Sequence, residues 1–131
     1  MPAVPISLKR LIAQANEAVP RIAPPEVKAM LDRGEAVVVD VREPNEVAAT
    51  GRIPGSLNIP RGLIEFKADR EAAAPERALL DGKAIVLHCG GGSRAALAGK
   101  TLQDLGYDRV FNLGGFKDWV QAGLPVEPAK D

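Results

Sequence analysis

The apolar run Ala84-Ile85-Val86-Leu87 ends in His88-Cys89-Gly90-Gly91-Gly92-Ser93-Arg94, and a helical pattern follows. A strand feeding a glycine loop into a helix N-terminus makes a cradle for anions. The three glycines let successive backbone N–H groups converge on one point, and the positive end of the helix dipole favours negative charge there. Cys89, the single cysteine of the chain, is expected to sit there partly as thiolate. An unpaired cysteine at a strand end is more often a small buried hydrophobe. A Gly-Gly-Gly run, however, is entropically costly and offers no side-chain packing in return, so the loop favours a nucleophile over a packing residue.

The 131 residues, 46% of them hydrophobic, suit one globular domain with one core. Residues 1–131 are therefore read as a single domain, with 1–20 as a helical extension. Seventeen basic residues balance seventeen acidic ones, and the basic residues are scattered, which argues against nucleic acid or an anionic membrane as partner. One cysteine excludes an internal disulfide, and Met1 to Pro20 lacks an apolar signal core or a spanning segment. The expectation is a soluble cytoplasmic chain whose thiol stays reduced. With one histidine and one cysteine, no metal site is expected and no cofactor is implied.

Leu8, Leu11, Ile12 and Ala15 recur at helical spacing, predicting an amphipathic helix from about Ser7 to Ala18, a possible contact surface. Pro24 and Pro25 open a second helix that Gly34 ends. Ala36-Val37-Val38-Val39 reads as a strand buried on both faces of a parallel sheet. Further strands are expected at 56–59, 84–88 and 109–112, and helices near 44–49, 61–68, 94–105 and 116–122. The alternation argues for an α/β class: an open parallel sheet with helices on both faces. Ligands in such sheets bind beyond the carboxyl ends of the strands, which gathers Asp40, Cys89 and Leu113-Gly114-Gly115 around one pocket.

These segments carry a family likeness. Asp40-Val41-Arg42-Glu43 with Glu46, Gly51-Arg52-Ile53-Pro54-Gly55-Ser56, the loop from Cys89 to Arg94, and Asn112-Leu113-Gly114-Gly115 with Trp119 and Gly123-Leu124-Pro125-Val126 occur in order. On them the chain resembles the single-domain rhodaneses from about Ile22 to Val126. Arg52 stands where that family usually has histidine, and Ser56 where it has alanine. The resemblance implies a rhodanese-like fold, with the active-site loop between a central strand and a helix N-terminus. It also implies a sulfurtransferase in which Cys89 takes a sulfane sulfur from a donor such as thiosulfate. The cysteine holds it as a persulfide and passes it to cyanide, a thiol or a protein acceptor.

Simple chemistry agrees, because a thiolate attacking the outer sulfur of thiosulfate expels sulfite, which needs no general acid. Backbone N–H groups from Gly90, Gly91, Gly92, Ser93 and Arg94 would stabilise the persulfide as an oxyanion hole stabilises oxygen. A persulfide carrier or redox binding module with little turnover is the alternative. A phosphatase or arsenate reductase is less favoured, since four residues separate Cys89 from Arg94 and phosphate cradles of this kind have one more. His88 is given a structural role, as adjacent strand residues point to opposite faces. Arg94 either holds an anionic substrate or supports the loop through Glu43 or Glu46, the support role being preferred. Asp40 and Arg42 read as an ion pair tying loops together. Arg61 is a candidate substrate contact through its guanidinium fork. Gly114 and Gly115 are read as sites of close backbone approach, and Trp119 as core.

Overall fold

The two apolar runs, 36–39 and 84–87, lie side by side in the middle of a parallel sheet. The computed structural model describes residues 4–129. Its sheet contains β1 (Ala36–Asp40), β2 (Leu57–Asn58), β3 (Ala84–Cys89) and β4 (Val110–Gly115), in the order β2-β1-β3-β4. All pairs are parallel, and β1 meets β3 in register from Ala36 opposite Ala84 to Asp40 opposite His88. All six residues of β3 are buried, which explains why its sequence shows no polar alternation.

Helices cover both faces. They are α1 (Leu8–Ala18), α2 (Pro24–Asp32), α3 (Pro44–Thr50), α4 (Ile64–Ala68), α5 (Ser93–Asp104) and α6 (Phe116–Gln121). The period-two alternation of strand side chains divides the core. Val39, Ile85, Leu87 and Cys89 join Ala95, Ala98 and Leu102 of α5 on one side. Val38, Ala84 and Val86 join Val27 of α2 and Phe116 and Trp119 of α6 on the other. Cys89 thus faces α5, while its neighbour His88 faces α6 and stacks on Phe116 at 5.9 Å.

The predicted N-terminal helix is present, capped by Ser7, whose hydroxyl accepts the Arg10 N–H at 3.1 Å. It reaches α5 closely because Gly99 has no side chain. A Cβ there would lie 2.9 Å from both Val19 methyl groups. The chain then crosses to β4, where the Asn112 N–H donates to the Pro20 carbonyl and the Ile22 N–H to that of Asn112.

Three elements differ from expectation. β2 has two residues rather than four, because the Ser56 N–H is spent in a turn on the Ile53 carbonyl. The helix expected over 61–68 splits into a 3-10 turn at Arg61–Leu63 and α4. The Leu63 N–H bonds to Pro60, three residues back, and Gly62 contributes little helix propensity. β4 runs three residues past Asn112, since Gly114 and Gly115 can pair closely with His88 and Cys89 after a register shift at Leu87/His88. A 3-10 turn at Arg77–Leu80, unforeseen in the sequence, buries Leu79.

Candidate active site

The carboxyl ends of β1, β3 and β4 bring Asp40, Cys89 and Gly115 together. Cys89 is fully buried, and its Sγ accepts the N–H of Gly92 at 3.0 Å. Gly92 holds φ +106°, a left-handed conformation that a residue with a Cβ adopts only with strain. It turns the chain directly into α5, whose first-turn N–H groups lack intrahelical partners. Gly90, Gly91 and Ser93 are exposed, and Gly91 faces open space. The loop therefore presents backbone outward with the sulfur beneath it.

Arg94, on the first turn of α5, reaches back across Gly90 to Glu46 on α3. Its Nη1 and Nη2 donate to the two carboxylate oxygens at 2.7 and 3.0 Å. Glu46 also accepts the Glu43 N–H at 2.8 Å, closing a capping box around Pro44. Arg94 first, and that N–H second, hold the Glu46 carboxyl down at about 2. Arg94 is in turn pushed above its usual value, mainly by Glu46 and to a smaller degree by the neighbouring Cys89. Between the two acidic candidates, the pairing falls on Glu46.

Asp40 and Arg42 form a buried pair. Nε of Arg42 lies 2.9 Å from Oδ1 and Nη2 2.7 Å from Oδ2 of Asp40. The guanidinium also donates to Thr50 Oγ1 and the Gly51 carbonyl, and it covers the Phe116 ring at 4.4 Å. Four of the five N–H donors of this buried cation are thus used. The pair locks the end of β1 to the end of α3, which carries Glu46.

His88 is buried, and neither ring nitrogen has a hydrogen-bond partner. Burial pulls its pKa down to about 4, so the imidazole is neutral at pH 7. Its 3.7 Å approach to Asp40 is consequently not an ion pair at that pH, and its ring lies on the opposite sheet face from Sγ.

Arg61 is not gathered with these groups. Its Nη1 donates to Glu65 and its Nη2 to Thr101, both at 3.0 Å. Thr101 lies eight residues into α5, about 12 Å along the axis from the loop. Its guanidinium fastens the segment after β2 to the side of α5.

Asn112, named above only within a motif, has a role that the sequence reading did not assign. Fully buried, it donates from Nδ2 to the Gly92 carbonyl at 3.1 Å and accepts the Gly114 N–H at 2.8 Å. An asparagine inside an apolar strand was the available signal, because a buried amide persists only when its partners are met. Gly115 lies beneath the Gly90 carbonyl with no room for a Cβ, and its N–H donates to Asp118 at 2.9 Å.

Similarity to known proteins follows the same architecture. A human thiosulfate:glutathione sulfurtransferase is 34% identical over 78% of this chain and 94% of its own. A sulfurtransferase of Allochromatium vinosum is 35% identical over 74% and 83%. A solved structure from Rhodopseudomonas palustris, described as a protein of unknown function and possible tyrosine phosphatase, superposes with a TM-score of 0.86. It is 35% identical and covers 97% of this chain and 99% of its own. The Rhodanese-like domain family model matches residues 23–122, a span that includes the buried ion pair, the cysteine loop and the glycines beneath it. With the parallel sheet ending in that loop, this match shows that the chain belongs to the rhodanese-like domain family.

Proposed function

We propose that this chain is a sulfurtransferase that moves a sulfane sulfur from a donor such as thiosulfate to cyanide or a thiol through a Cys89 persulfide. The thiolate attacks the outer sulfur of thiosulfate, the S–S bond of the donor breaks, and sulfite departs with the electron pair. The observation that carries the reading is the Gly92 N–H held 3.0 Å from Sγ at the head of α5. Gly90, Gly91, Ser93 and Arg94 complete the loop, and their backbone groups and the helix dipole supply the field that favours an anionic sulfur. Asp40, Arg42 and Glu46 support it from β1 and α3, and Arg94 acts through its grip on Glu46. No helix among the described residues is long and apolar enough to cross a membrane. A cytoplasmic setting, with residues 1–131 acting as one domain, suits a thiol that must stay reduced.

Similarity to a possible tyrosine phosphatase makes phosphoryl transfer the competing chemistry. The four residues between Cys89 and Arg94, with Arg94 committed to Glu46, favour sulfur over a phosphoryl group. Intact mass after incubation with thiosulfate separates the two. A gain of one sulfur atom that Cys89→Ser abolishes is expected. Hydrolysis of p-nitrophenyl phosphate with no sulfur gain would overturn the reading.

A further inference from the structure

A cavity of about 360 Å³ opens at the amino ends of β3 and β4, the opposite end of the sheet from the cysteine loop. Ile85, in its floor, precedes Cys89 on β3 by about 13 Å of strand. Leu79 and Tyr107 complete that floor and belong, with Ile85, to the core on the α5 side. Leu80, 42% exposed, adds an apolar lip. The Tyr107 hydroxyl is spent on the Ala68 carbonyl at 2.7 Å, so the floor offers ring and aliphatic surface. Around it stand Arg70, Lys83 and Arg109. Surface cations elsewhere hold carboxylates, as Lys28, Arg33, Arg61 and Lys100 do, whereas these three form no ion pair among the described residues. Arg70 covers the Tyr107 ring at 4.4 Å and reaches the Gly106 carbonyl only at 3.5 Å, and Arg109 reaches that of Gly82 at 3.4 Å. Asp108 is the one carboxylate among the lining residues, which leaves the cavity two positive charges in excess.

We infer that this cavity is a binding site for a small phosphate monoester that carries an apolar body. Such a phosphate bears a charge of about −2 at pH 7, which matches the excess. The guanidinium forks of Arg70 and Arg109 suit its oxygens, and Lys83 adds a point charge. The volume of about 360 Å³ exceeds what a bare phosphate fills and falls within the range of small-molecule sites, about 300–1,000 Å³. The surplus space is bounded by Leu79, Leu80 and Ile85, against which an aromatic or aliphatic group leaves water. A hydrated inorganic anion would gain nothing from that floor. Asp108 repels a second negative group, so the site takes one phosphate rather than a polyanion. The inference goes beyond the sulfurtransferase reading and stands independently of it.

Isothermal titration calorimetry on the full chain tests it with phenyl phosphate, inorganic phosphate and phenol. Phenyl phosphate should bind about tenfold more tightly than inorganic phosphate, and phenol, which lacks the charge, should bind more weakly than either. Lys83→Ala and Arg109→Ala should each weaken phenyl phosphate about fivefold, and the two together should weaken it further. Leu80→Ser should narrow the gap between phenyl phosphate and inorganic phosphate, and as an exchange at an exposed position it gives a second reading should a charge variant fold poorly. Lys117→Ala removes an exposed cation from α6 and should leave binding unchanged. Equal affinity for phenyl phosphate and inorganic phosphate overturns the assignment. Binding that survives the double substitution, which would place the anion in the cysteine loop instead, overturns it too. So does a loss in Lys117→Ala as large as that in Lys83→Ala, the mark of a general charge effect.

Discussion

Arg94 and Glu46, 48 residues apart in sequence, meet fork to fork at 2.7 and 3.0 Å. The contact ties the far end of the cysteine loop to α3, and the same carboxylate caps that helix. One side chain therefore couples loop position to the integrity of α3.

The pair carries a pH signature. The Glu46 carboxyl is lowered from 4.5 to about 2, so the folded state holds fewer protons than the unfolded chain between those values. Its stabilisation is complete above pH 4.5 and is lost as pH falls toward 2. Both side chains are roughly one-third exposed, at 37% and 34%, which limits the contribution to about 1 kcal/mol or less. Thermal melts of Glu46→Gln should show a lower Tm at pH 7 and a flatter profile below pH 4.5 than the native chain. A native-like acid slope in the variant would refute this.

His88 acts in a higher window. Burial lowers its pKa from 6.5 to about 4, so the unfolded chain binds the proton first as pH falls. Stability present above pH 6.5 should decline toward pH 4, by on the order of 3 kcal/mol. His88→Leu, which fills the space without a titrating group, should remove that decline. Urea unfolding at pH 7 and pH 4.5 measures it, and an unchanged pH difference would contradict the assignment.

Gly115 and Gly91 should respond differently to one added methyl. At Gly115 the methyl meets the Gly90 carbonyl, a backbone atom that cannot turn aside, whereas at Gly91 it meets nothing within 4 Å. Gly115→Ala is expected to cost about 2–3 kcal/mol and to suppress sulfur loading by displacing the loop. Gly91→Ala should stay within about 1 kcal/mol of native stability. Similar melts for the two variants would show that the β4 glycines do not seat the loop.

The Asp40–Arg42 pair should reveal itself through asymmetry. Asp40→Asn leaves a guanidinium that is 4% exposed without its counter-ion, at an expected cost of about 3–5 kcal/mol. Replacing both residues, Asp40→Asn with Arg42→Met, removes the stranded charge and should cost less than the single change. Chemical denaturation of the two variants decides it, and a double variant weaker than the single would sink the argument.

Much of this was legible along the chain because it is local. The unbroken apolar runs at 36–39 and 84–87 announce central parallel strands, Pro24 and Pro44 open helices, and Gly92 ahead of an alanine-rich helix marks the loop at Cys89. Each signal concerns residues within a few positions of one another, where backbone geometry and hydrophobic period act directly. The split of 61–68 was obscured because a glycine and a three-residue bond interrupt an otherwise apolar helical pattern.

The support role read for Arg94 leaves Glu43 and Glu46 both open as partners, and Arg61 reads as a substrate contact; in the structure Arg94 crosses the loop to Glu46, and Arg61 lies along α5 against Thr101. Asn112 stood out as a polar residue in an apolar strand, but its partner, the Gly92 carbonyl, lies 20 residues away in sequence. Chain neighbours thus dictated the helices, the strands and the place of the nucleophile. The choice of Glu46 over Glu43 for Arg94 and the extension of β4 beneath the loop arose only when distant segments packed. Long polar side chains are directed by whichever partners packing brings within reach, and no period in the sequence encodes that.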